Sequence, residues 1–162
     1  LIPKVSYTEI RNGVNAKELQ MSLLDIAMEA ASRSYSPYSH FRVGAALQCS
    51  DGTVVTGTNV ENRSYGLTVC AERIAVFTAL SSGRTTFTAL AVACPDSADS
   101  IPPCGACRQV ISEFVGPAFP IYYKGAGDEE QITTMGELLP YDSLHDLKEN
   151  APETRSPGNP DR

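Results

Sequence analysis

The sequence predicts an α/β fold in which one sheet carries helices on both faces. Three observations point there. Segments alternate as helix, hairpin, helix, strand, helix, strand. Asp51-Gly52, the strongest short-range hairpin signal, sits between two runs of strand-forming residues. Finally, "FTALAVAC" (87–94) is a continuous apolar run of strand length, as a buried strand requires.

Taken in order, residues 1–15 show no period and read as an N-terminal extension. "NAKELQMSLLDIAMEAASRSYS" is an amphipathic helix: Asn15 can cap it, Glu18 completes a capping box, and Leu19, Leu23, Ala27 and Ala31 recur on one face. It must end before Pro37. "FRVGAALQC" and "TVVTGTNV" are the two hairpin strands. "CAERIAVFTALSS" is a helix with Ile74, Phe77 and Leu80 inward, stopped at Gly83. After the buried strand, "CGACRQVISEFV" is a helix introduced by Pro102-Pro103 and ended by Gly116. Strands at "FPIYYK" and "EQITTM" and a helical turn at "GELLP" complete a single domain over 16–148. Residues 149–162, "ENAPETRSPGNPDR", have almost nothing to bury and read as a disordered tail.

Composition limits the partners. A hydrophobic fraction of 42% and a charged fraction of 20% in 162 residues describe an ordinary soluble domain with a proper core. A net charge of -6 without a Lys/Arg run argues against nucleic acid, and no apolar run approaches the roughly 18 residues of a membrane span. A small, neutral or weakly charged ligand fits better. Five cysteines, an odd number, without secretory signals favour a reducing compartment, with the cytoplasm as default location.

Three of the cysteines carry chemistry. Cys70 opens one predicted helix, and Cys104 and Cys107 lie on the first turn of another. Unpaired N–H groups and the positive end of a helix dipole stabilise thiolates there, the form that binds metal. Three thiolates suit zinc. His40 and His145 are not at ligand spacing, so the fourth position is left to water and the site is expected to be catalytic, with one zinc per chain. Glu72 is placed to move protons for it. Three thiolates and a carboxylate around a dication leave excess negative charge, so Arg73 and Arg108 are expected to hydrogen-bond to the ligand sulfurs. Cys49 and Cys94, in strands, read as small buried hydrophobes.

"CAER" followed by "PCGACRQV" resembles the C-x-E and P-C-x-x-C signature of zinc-dependent cytidine deaminases. The resemblance extends over roughly residues 16 to 140, through "YSPYSHFRVGAAL" and "NVENRSYG". It implies the short, homotetrameric class: a three-layer α/β/α fold with a mixed five-stranded sheet and active sites at subunit interfaces. It also implies hydrolytic conversion of cytidine and deoxycytidine to uridine and deoxyuridine plus ammonia, a reaction of pyrimidine salvage. Glu72 would be the proton shuttle and Phe41 would stack on the pyrimidine. Asn59 and Glu61 would hold the ribose 3'-hydroxyl, and backbone groups at Ala71 and Cys104 the base and developing charge. Tyr65 would reach the ligand from a neighbouring subunit. One departure stands out: where the family usually carries an aromatic ring after "LLP", this sequence reads "LLPYDSL", with Ser143 or Leu144 at that place and Tyr141 nearby. Two other readings compete. One is deamination of modified cytidines or an aminonucleoside antibiotic. The other is a non-catalytic zinc-stabilised binding module, for which Glu72 would have no use.

Overall fold

The computed structural model describes residues 16–127 and 129–142, with residues 16–22 as helix backbone only. The N-terminal extension, the Asn15 cap, the 149–162 tail, Ser143 and Leu144 lie outside the described residues.

The chain runs through α1 (Ala16–Ala31), β1 (Gly44–Cys49), β2 (Val54–Thr58), α2 (Ala71–Ser81), β3 (Phe87–Ala93), α3 (Gly105–Ser112), β4 (Pro120–Lys124), β5 (Glu130–Thr134) and α4 (Met135–Leu138). A single 3-10 turn at Tyr65–Leu67 precedes α2. The five strands form one sheet in the order β2-β1-β3-β4-β5. Only β3 and β4 pair in parallel; the other neighbours are antiparallel. The sheet is therefore mixed, as expected. The hairpin turns at Asp51-Gly52, with Gly52 in the left-handed region at φ 84°.

α1 covers one face, burying Leu23, Leu24 and Ala27 against Ala46, Ala89, Ala91 and Tyr122. On the other face α2 and α3 pack over Ala45, Leu47, Leu90 and Ile121. The helices lie unusually close to the hairpin. A Cβ on Gly44 would sit 1.9 Å from the Ala27 carbonyl oxygen, and one on Gly57 would sit 2.2 Å from that of Ala71. No other residue type leaves room for that approach.

Two expectations are corrected. Phe77 does not point inward; it is 47% exposed, and α2 instead buries Ala71, Ala75, Val76 and Ala79. A helix seated this near a sheet packs on small side chains, so the bulky ring is displaced outward. α1 also ends earlier, at Ala31, because the chain turns so that Tyr35 can bridge Val60. Among the described residues no helix is long and apolar enough to cross a membrane.

Candidate active site

Parallel pairing of β3 and β4, with α3 crossing between them, brings the N-termini of α2 and α3 to one end of the sheet. Cys70 and Cys104 are the N-cap residues of those helices, both extended (φ -73°, ψ 157° and φ -67°, ψ 164°) and neither capping with its own side chain. Their sulfurs are thus free to point at a common centre. Sγ of Cys70 lies 3.8 Å from that of Cys104, which lies 3.5 Å from that of Cys107. All three are within 4.8 Å of one another. Zinc–sulfur bonds of about 2.3 Å in tetrahedral geometry place sulfurs about 3.8 Å apart, so this donor set fits zinc.

The electrostatics agree. A hydrogen bond from Cys107 above all, with a further one from Arg73, lowers the Cys70 thiol to about 5. Cys107, donor of that bond and fully buried, is pushed upward. The cluster therefore already stabilises a thiolate, with a second thiol beside it whose proton a cation would displace. Glu72, 4% exposed on the first turn of α2, is pushed up to about 7, chiefly by burial. A carboxyl at that value can take and return a proton near neutral pH.

The arginines part company. Arg73 Nη2 donates to Cys70 Sγ at 3.6 Å and to the Thr68 carbonyl at 3.2 Å, as expected of a sulfur partner. Among the described residues its buried Nε has no hydrogen-bond partner. Arg108 does not reach a sulfur: Nε donates to Pro103 O at 2.7 Å and Nη1 to Leu138 O at 3.1 Å. Its fork spans two carbonyls instead, bracing the chain before Cys104 against α4.

Past the end of β2 the chain carries Asn59 and Glu61 on either side of Val60, which pairs with Val69 next to Cys70. Both polar side chains are buried. Asn59 Nδ2 donates to Phe41 O at 2.8 Å, and Oδ1 accepts from Val43 N at 2.9 Å and from Ser34 Oγ. Glu61 accepts from Tyr38 N at 2.9 Å, Ser39 N at 3.2 Å and Ser39 Oγ, and these bonds lower its pKa. They also fix the turn in which His40 takes the left-handed conformation (φ 57°). Both residues thus shape the protein at this place, and sequence reasoning missed their supports Ser34 and Ser39. Only a hydroxyl-rich loop, "SRSYSPYS", hinted at them.

Phe41 is half-buried, and Ala71 is fully buried at the first position of α2. Tyr65 is 67% exposed and meets Tyr38 edge-to-face, with ring centroids 6.1 Å apart. Tyr141 is 92% exposed.

The family model for the cytidine and deoxycytidylate deaminase zinc-binding region matches residues 17–122. A cytidine deaminase of Halalkalibacterium halodurans is 48% identical over 118 residues, covering 73% of this chain and 89% of that protein. The crystal structure of cytidine deaminase from Burkholderia pseudomallei superposes with a TM-score of 0.70 at 44% identity, covering 74% of this chain and 95% of that one. Farther off, a blasticidin-S deaminase of Bacillus cereus is 32% identical over 133 residues, covering 78% and 93%.

Proposed function

The chain belongs to the cytidine deaminase family, and from that premise we propose that it adds water to cytidine and deoxycytidine, releasing ammonia and leaving uridine or deoxyuridine. The observation that carries this reading is a buried carboxyl, Glu72, poised near neutral pH beside three convergent cysteine sulfurs.

Cys70, Cys104 and Cys107 would hold one zinc per chain, which when bound supplies the Lewis acidity that makes water a nucleophile at neutral pH. Glu72 takes a proton from the attacking water and delivers it to ring N3 as the oxygen bonds to C4. It then takes the remaining proton from the C4 hydroxyl and delivers it to the amine, so that the C4–N bond breaks, ammonia leaves and the carbonyl forms. Arg73 moderates the charge on the Cys70 sulfur. Phe41 stacks on the base, Asn59 and Glu61 meet the ribose 3'-hydroxyl, and the Ala71 and Cys104 backbones hold the ring. Asn59 keeps one amide hydrogen, and Glu61 lone pairs, beyond their internal bonds.

The reading extends to a homotetramer in which Tyr65 serves a neighbour's site, acting in the cytoplasm in pyrimidine salvage. The exposed Tyr65 ring and five free cysteines support it. Residues 16–148 form the catalytic domain in this view, between an extension and a tail. Lower identity to the blasticidin-S deaminase leaves the antibiotic as the lesser alternative substrate.

The test is Glu72→Gln, which keeps side-chain size but cannot shuttle a proton. The expected loss in kcat is about two to four orders of magnitude, with cytidine affinity far less changed. Near-normal kcat would refute the assignment. A nucleoside panel followed by ultraviolet absorbance, cytidine beside blasticidin S and N4-modified cytidines, decides the substrate.

A further inference from the structure

The ladder of β1 begins at Gly44, yet the three residues before it are held as a strand would be. On one side Asn59, one residue past the end of β2, takes Phe41 O and Val43 N with its carboxamide. On the other, Asp96, three residues past the end of β3, accepts Arg42 N at 2.8 Å through Oδ2. The same carboxylate accepts Arg42 Nε at 2.8 Å and Nη2 at 2.6 Å. Backbone groups of residues 41 and 43 thus face one side and that of residue 42 the other, the alternation of any strand with two neighbours. Two side chains prolong the sheet where its strands have run out.

We propose that Asp96 is a positioning residue for the deamination: it fixes segment 41–43, and with it the Phe41 ring, against the loop that leads from β3 to Cys104. This rests on the proposed stacking of Phe41 on the base. A purely stabilising role is the poorer account, because the Arg42 and Asp96 side chains are 46% and 23% exposed, where ion pairs add little. The backbone bond is different, since it acts on the residue next to Phe41. The carboxyl is held at about 2 by the Arg42 guanidinium, so it accepts that N–H throughout the working pH range. A stacking contact serves ground and transition states alike, so its loss belongs in KM.

Steady-state kinetics on cytidine, zinc content and Tm are measured for wild type, Asp96→Ala, Asp96→Asn, Arg42→Ala, Phe41→Ala and the Phe41→Ala/Asp96→Ala double variant. Asp96→Ala raises KM about 5- to 20-fold with kcat within about twofold and zinc unchanged. Arg42→Ala, which keeps its backbone N–H, raises KM less. In the double variant KM matches that of Phe41→Ala alone, because Asp96 acts through that ring. Should Asp96→Ala not fold, Asp96→Asn, which retains an acceptor oxygen, carries the same comparison with a smaller rise. An unchanged KM, a loss confined to kcat and Tm, or multiplying effects of the two substitutions would overturn the proposal. A wild-type chain inactive on cytidine would instead overturn the function on which it rests.

Discussion

At the first turn of α2 a thiol and a carboxyl have exchanged their usual order of acidity: Cys70 is lowered to about 5 while Glu72 is raised to about 7. The sulfur thus holds negative charge more readily than the acid, which is what a metal ligand beside a proton carrier needs. The ligand set was legible in the sequence because coordination demands particular residue types at helix starts. The structure buries Glu72 on the first turn of α2, two residues past Cys70, where the spacing put it. Arg108 was not legible, since adjacency to a ligand says nothing about which way a long side chain reaches. Nor was Asp96, whose partner lies 54 residues away with no local signal. At this scale the expected outcome of Cys104→Ala is loss of metal: from about one zinc per chain to less than about a tenth after dialysis against a weak chelator, two thiolates being too few to hold it. Activity should fall with it, and elemental analysis beside the assay checks both.

Elements were legible where their pattern is local. The Asp51-Gly52 hairpin and the buried β3 came directly from turn chemistry and apolar length. The facing of α2 did not, because periodicity weighs large apolar residues, whereas this helix packs on alanines above Gly57. That contact yields a prediction. A methyl on Gly57 would press on the backbone of α2 at Ala71 and Ala75, so Gly57→Ala should cost about 1–3 kcal/mol of stability. It should also lower kcat/KM, since α2 carries Cys70 and Glu72. Gly116→Ala, with nothing within 4 Å of the added carbon, should stay within about 0.5 kcal/mol. Urea unfolding of both variants gives the comparison.

For the whole molecule, the outer edge of the site carries exposed apolar side chains: Tyr35, Tyr38, Val60, Tyr65 and Leu67. They sit on segments tied together by the Tyr35–Val60 and Val60–Val69 bridges and the Tyr38–Tyr65 ring contact. A group of exposed apolar side chains of this kind suits subunit association. If the proposed tetramer supplies Tyr65 to a neighbouring site, specific activity should fall by more than about tenfold on dilution below the dissociation constant of the assembly. It should recover on concentration, with light scattering reporting the mass. Assembly was the least legible level of all. No period or spacing within one chain encodes where a second copy sits, and that expectation came from resemblance alone.

The separation of the ligands along the chain has a consequence in time. Cys70 precedes Cys104 by 34 residues, so during synthesis at about 5–20 residues per second it waits about 2–7 s for its partners to appear. α1 and the β1–β2 hairpin have been made by then, but the crossover that aligns the two helix starts has not. A nascent chain therefore passes through an interval in which Cys70 stands without the hydrogen bond from Cys107 that makes it acidic, so the low-pKa thiolate first arises together with the centre that can hold it.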